Sequence, residues 1–99
     1  MPKSKPHVAL NPEAWDDLRR TPGNIRRKII VEIDKLENLP RPSNSKRLSL
    51  ANDAREIRRL RVGNWRIIYL LREGQPIILG IRKRPPYNYE DIEALVQER

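Results

Sequence analysis

The chain has 99 residues, enough for one domain with a single core and too few for two. Lysine and arginine outnumber aspartate and glutamate 21 to 13, giving a formal charge of +8, and 37% of residues are hydrophobic against 34% charged. The absence of cysteine excludes disulfides, thiol nucleophiles and thiolate metal sites, and points to a cytoplasmic protein.

Residues 1–6, "MPKSKP", read as a flexible tail. No apolar run follows them, so they are not a secretory signal, and no segment reaches the ~20 apolar residues of a membrane span. The remainder, 7–99, reads as a single domain. "HVAL" (7–10) is a short strand, with His7, the chain's one histidine, at its start. In "NPEAWDDLRR", Asn11 is a helix N-cap, Pro12 occupies the first helical position and Glu13 follows it. "TPGN" ends that helix. In "NIRRKIIVEIDKLEN" (24–38), Ile25, Ile29, Ile33 and Leu36 fall on one helical stripe, and "RRK" (26–28) reads as its solvated face. A proline-rich connector, "LPRPSNS", leads to the short "KRLSL".

From residue 55 the period changes to two. "EIRRLRV" and "WRIIYLL" flank Gly63-Asn64, a two-residue hairpin loop. "PIILGIRK" follows "REGQ", and "RPPYNYEDIEALVQER" turns through two prolines into an amphipathic segment carrying Ile92, Leu95 and Val96. The order predicts an α+β fold: N-terminal strand, two-helix hairpin, then an antiparallel β-meander with the helices on one face, closed by a short C-terminal helix.

The first loop opposes Val62 to Trp65, Arg61 to Arg66 and Leu60 to Ile67. A three-residue second loop, Glu73 to Gln75, opposes Leu71 to Ile77, Tyr69 to Leu79 and Ile67 to Ile81. A two-residue loop scrambles the apolar pattern, so pattern selects the longer one. The helix-covered face then holds Leu60, Val62, Trp65, Ile67, Tyr69, Leu71, Ile77, Leu79 and Ile81. The other holds Arg59, Arg61, Arg66, Arg82 and Arg84 around Ile68, Leu70, Ile78 and Gly80.

Arg61, Arg66 and Arg82 thus form one row across three strands. Residues 55–84 hold nine Lys/Arg and only Glu56 and Glu73 as carboxylates. Like charges at adjacent ladder positions lower stability, whereas guanidinium groups match phosphate with paired hydrogen bonds. The row predicts an anion-binding face, with Gly80 either leaving room for close approach or relieving crowding. One histidine and scattered carboxylates offer no metal site and no Ser-His-Asp set, so neither metal nor other cofactor is expected. Arginine stabilises charge but is no base at neutral pH. Tyr87 and Tyr89 follow Arg84 closely, and each reads equally as an acid–base group or as packing.

"REIRRLRVGNWRIIYLLREGQPIILGIRKR", preceded by "AWDDLRR", "LENLPRP" and "SKRL", resembles the RelE/ParE superfamily of toxins from bacterial type II toxin–antitoxin pairs. The resemblance runs from about His7 to Tyr89. It implies either metal-independent cleavage of messenger RNA on the ribosome, as in RelE-like members, or inhibition of DNA gyrase, as in ParE-like ones. On the RelE-like side, which the arginines favour, Arg66 and Arg84 match catalytic positions, and Tyr87 or Tyr89 is the terminal tyrosine. Arg59 and Arg61 stand where the preceding strand carries its basic residues, with Arg82 and Lys83 as further RNA-phosphate contacts. The implied partners are a cognate acidic antitoxin, joined in a hetero-oligomer, and mRNA on the ribosome, with no membrane. Ile92, Leu95 and Val96 form a candidate antitoxin-docking stripe, or pack on the sheet. A non-catalytic nucleic-acid-binding module is a third reading.

Overall fold

A computed structural model of the chain describes residues 7–50, 54–83, 92 and 94–96. The tail at 1–6 lies outside the described residues. The elements are β1 (Ala9–Leu10), α1 (Pro12–Arg20), α2 (Gly23–Lys35), β2 (Ser45–Arg47), β3 (Glu56–Val62), β4 (Trp65–Arg72) and β5 (Gln75–Lys83). They form one five-stranded sheet in the order β1-β5-β4-β3-β2, antiparallel except where β1 runs parallel to β5.

Helix α1 begins as its sequence predicts. The Asn11 side chain accepts from the Ala14 amide at 2.9 Å and Pro12 sits in the first turn. The helix ends at Thr21, whose amide donates to the Leu18 carbonyl and whose hydroxyl donates to the Asp17 carbonyl. Arg26 of α2 then donates to the carbonyls of Leu18, Arg19 and Thr21, placing a cation on the negative end of the α1 dipole. The solvated-face reading of residues 26–28 therefore holds for Arg27 and Lys28, which are exposed, and not for Arg26.

Both helices pack on one face of the sheet. Ala14, Leu18, Ile29, Ile30, Ile33 and Leu36 meet Leu60, Val62, Ile67, Tyr69, Leu71, Ile78 and Ile81, with Trp65 against their edge. The β3–β4 register follows the expected one residue for residue, from Val62 opposite Trp65 to Glu56 opposite Leu71.

The β4–β5 hairpin departs from expectation. Its loop is the two-residue Glu73-Gly74, with Arg72 opposite Gln75 and Tyr69 opposite Ile78. Both loop residues have positive φ, 55° and 79°, the backbone of a type I′ turn, whose twist suits a tight hairpin. The scrambling that argued against this loop is absorbed by a register shift between Ile68 and Tyr69. Leu79 is the extra residue, and beyond it Ile68 faces Gly80, Ile67 faces Ile81 and Arg66 faces Arg82. Ile78 therefore lies on the helix-covered face, while Ile77 and Leu79 lie on the outer one, the reverse of the sequence-based assignment for these three.

The outer face is not an open arginine surface. Its far half, from Leu48 and Ile57 through Ile68, Leu70 and Leu79, is apolar and is covered by Ile92, Leu95 and Val96. Ile92 and residues 94–96 are helical, and Arg55 donates to the Val96 carbonyl at 3.2 Å. The C-terminal stripe thus packs on the sheet, on the side away from α1 and α2. Burial of three aliphatic side chains contributes about 1.5–3 kcal/mol apiece. The room above Gly80 is filled by Leu95: a Cβ there would stand 2.5 Å from Leu95 Cδ1. No helix among the described residues is long and apolar enough to cross a membrane.

Candidate nucleic-acid interface

The near half of the outer face carries the cross-strand row. Arg61, Arg66 and Arg82 occupy directly opposed positions on β3, β4 and β5, and Lys46 on the edge strand β2 stands opposite Arg59. The row is real, but its members are not equivalent.

At the β5 edge the charge is neutralised from outside the sheet. Strand β1 pairs only with Ile77 and Ile78, after which the Asn11 amide donates to the Ile78 carbonyl and α1 takes over. Asp17, projecting from α1, accepts the Ile81 amide at 3.0 Å and the guanidinium of Arg82. Its other oxygen accepts from Arg20, and Glu13 pairs with Arg82 at 3.3 Å. The Asp17 side chain is 6% exposed and that of Arg82 20%, so the Coulombic attraction is weakly screened. The two carboxylates expected to be too few gain Asp17 and Glu13, brought in by the fold from more than sixty residues upstream. Lys83, opposite Trp65, lies on the other side of β5, beside a hollow of about 350 Å³ that Glu13, Arg20, Trp65 and Arg82 also line.

Arg66, in the middle of the row, is buried, with 5% of its surface exposed. Its guanidinium donates to the carbonyls of Gly63 and Trp65 at 2.9 and 3.0 Å. Those bonds brace the tight Gly63-Asn64 turn, where Gly63 takes a φ of +60° that a side chain would resist. Positive charge is thereby fixed beneath the surface rather than extended into solvent.

Arg61 is exposed, and among the described residues no carboxylate pairs with it. Its backbone is held on both sides by Asn44: the Arg61 amide donates to the Asn44 carbonyl, and the Asn44 side chain donates to the Arg61 carbonyl, each at 3.0 Å. Arg61, Arg59 and Lys46, with Ser43, Asn44 and Ser45, line a hollow of about 260 Å³ on this edge.

A model of the ParE toxin of type II toxin–antitoxin systems matches residues 8–84. The chain belongs to this family. It is thus a type II toxin of the RelE/ParE superfamily. No protein of curated function matches it in sequence. In three dimensions the toxin is similar to RelE in the archaeal RelE–RelB complex from Pyrococcus horikoshii OT3, with TM-score 0.68 and 23% identity over 83% of this chain and 98% of that one. It is also similar to a chain of the RelBE2 toxin–antitoxin complex from Mycobacterium tuberculosis, with TM-score 0.66 and 21% identity over 78% and 95%. The isolated E. coli RelE toxin gives TM-score 0.61 and 14% identity over 93% and 97%. At these identities the likeness establishes the fold.

Of the toxin's expected site residues, the fold brings Arg59, Arg61 and Arg66 to one half of one face. It turns Arg82 onto α1 and sets Lys83 behind β5. Arg84, Tyr87 and Tyr89 lie outside the described residues. No group of three or more metal-ligating side chains gathers among the described residues. Lys46 is the cation that sequence reading passed over. Its signal was present: in a three-residue edge strand, "SKR", alternation puts Lys46 on the face opposite Ser45 and Arg47.

The helix-side face of the same edge has its own cluster. Arg41 grips Glu56 with two bonds of 2.8 Å, and Arg58 adds a third. The Arg41 hydrogen bond, ahead of the charges of Arg41 and Arg58, holds the Glu56 carboxyl down at about 2 against the opposing effect of burial. Arg58 also donates to Ser45, and the Tyr69 hydroxyl donates to the Pro40 carbonyl. Burial pushes the Tyr69 phenol up, so it remains a neutral donor. This cluster fastens the connector after α2 to the sheet.

Proposed function

We propose that the toxin is an endoribonuclease that cleaves mRNA on the ribosome in the cytoplasm, without a metal, and so arrests translation. The observation that carries this reading is the concentration of Lys46, Arg59, Arg61 and Arg66 on one half of one sheet face, on three adjacent strands. In such a reaction the 2′-hydroxyl attacks the adjacent phosphorus. A bond forms from the 2′-oxygen to phosphorus, the bond to the 5′-oxygen breaks, and a 2′,3′-cyclic phosphate and a 5′-hydroxyl result. Fixed guanidinium groups stabilise the extra negative charge on the crowded phosphate. Arg61, exposed at the surface, suits contact with that phosphate, and Arg66, held beneath it by two carbonyls, adds fixed positive potential. Arg84 and a tyrosine, Tyr87 or Tyr89, complete the set, the tyrosine moving protons that arginine cannot.

Membership of a type II pair supports an antitoxin partner, and complexes with RelB among the similar structures support the same. A chain of formal charge +8 favours an acidic one, captured quickly at low salt. The match to the ParE family favours a second reading, inhibition of DNA gyrase. One experiment separates them. The purified toxin is added to a translation extract, mRNA breaks are mapped, and gyrase supercoiling is followed in parallel. Ribosome-dependent breaks lost in an Arg61→Gln variant carry the first reading. Blocked supercoiling with intact mRNA carries the second, and RNA bound but uncut would leave a non-catalytic module.

A further inference from the structure

The hollow at the β2 edge lies beside the cross-strand row and shares Arg61 with it. Its lining among the described residues is uniform in kind: Lys46, Arg59 and Arg61 supply three cations, Ser43, Asn44 and Ser45 complete it, and none of these is a carboxylate or an apolar residue. Lys46 and Arg59 are directly opposed partners on β2 and β3. The connecting segment is folded onto the sheet rather than looping away. The Ser45 amide and hydroxyl both donate to the Pro42 carbonyl, at 3.0 and 2.8 Å, and Asn44 exchanges two hydrogen bonds with the Arg61 backbone. The cations therefore stand on a fixed floor.

From this geometry we infer a second phosphate subsite, one that holds the backbone of single-stranded RNA a nucleotide or more away from the cross-strand row. The inference rests on the ribonuclease reading for its ligand. Arg61 belongs to both places, so a strand held on Arg61, above the buried Arg66, runs directly into the hollow. The lining recognises backbone, not bases: it has paired-donor guanidinium groups and an ammonium for phosphate oxygens, and among the described residues that line it there is no aromatic side chain on which a base would stack. An acidic protein segment fits less well, because stable docking of a folded-on-binding peptide needs apolar anchors, and none of the described residues that line the hollow is apolar. Lys46 is a positioning group here, remote from bond cleavage.

The test measures binding without cleavage. A short single-stranded 2′-O-methyl oligoribonucleotide, which cannot react, is titrated with the wild-type toxin, Lys46→Gln, and Lys28→Gln as a matched charge control on the exposed side of α2, over a range of salt concentrations. Lys46→Gln should lower affinity roughly threefold or more and flatten the salt dependence by about 0.7 in slope, the share of one single-strand phosphate contact. Lys28→Gln should change neither. The proposal is overturned if wild-type toxin does not bind the oligonucleotide, if Lys46→Gln binds as wild type, or if Lys28→Gln loses as much. Competition by polyglutamate as effective as that by RNA would hand the hollow to an acidic protein and overturn it likewise. Failure to cut mRNA in the translation extract bears on the ribonuclease reading alone, since this binding assay needs neither ribosome nor reaction.

Discussion

The two edges of the sheet carry the same kind of residue and treat it in opposite ways. At the β5 edge, Arg82 is folded back onto Asp17 and Glu13 and becomes part of the scaffold. At the β2 edge, Arg61 and Lys46 stay exposed around an open hollow. The difference is supplied by what lies beyond each edge. Beside β5 stands α1 with a buried carboxylate, and beside β2 stands a short polar connector. An arginine's role in such a sheet is decided by the element packed outside its strand, more than by its place in the row.

The largest expected effect breaks the β5 side of that contrast. Asp17→Ala strips the Ile81 amide and two arginines of their shared acceptor. Removal of one partner from a buried pair costs about 3 kcal/mol or more. In a chain of this length that lowers Tm by more than about 10 °C, to be read by thermal unfolding. A loss under about 1 kcal/mol would mean that Arg82 is held by Glu13 alone and that the two edges differ less than their geometry indicates.

Gly80→Ala acts between the edges, pressing a methyl group against Leu95. Overpacking of this kind costs about 1–3 kcal/mol, and the segment bearing Ile92, Leu95 and Val96 should become more susceptible to protease. A variant as stable and as resistant as wild type would show that Leu95 has room to move aside.

A smaller effect marks the helix-side cluster near β2. Glu56 has its carboxyl lowered to about 2 by Arg41 and Arg58. A depressed carboxyl contributes stability above its ordinary value of 4.5, and that contribution falls away as pH drops from there toward 2. Because Arg41 is half exposed, the contribution is about 1 kcal/mol. Denaturant unfolding of wild type and Glu56→Gln should differ by that amount at pH 6 and converge near pH 2.

Smallest of all is the expected effect of Arg61→Gln on the fold, within about 0.5 kcal/mol, alongside its loss of RNA cleavage. An Arg61 variant that unfolds readily would erase the distinction between the edges.

Much of this was legible from residue order alone. The Asn11 cap, the β3–β4 register and the row of three arginines each follow from local rules, because capping and a two-residue turn are decided within a few residues. The β4–β5 register was not, since a single extra residue, Leu79, lets a favoured type I′ turn and an apolar face coexist, and alternation assumes no such insertion. The fate of Arg82 escaped for a different reason: charges were tallied along the chain, while its partners come from α1. A signal existed. Ala14, Asp17, Leu18 and Thr21 share a helical face and are all buried, and a carboxylate on such a face requires a cation.

The brevity of β1 has a consequence in time. The meander is built from neighbours in sequence joined by tight turns, contacts that close quickly, whereas Asp17 reaches Arg82 across 65 residues. Closing so long a loop costs entropy before it returns any contact. The meander should therefore organise first and α1 dock against β5 late, after the rate-limiting barrier. Asp17→Ala would then leave the refolding rate almost unchanged and accelerate unfolding by nearly the whole of its destabilisation. Stopped-flow folding in both directions would reveal it. The ion pair that holds this edge in place is, on that view, what sets the lifetime of the folded toxin.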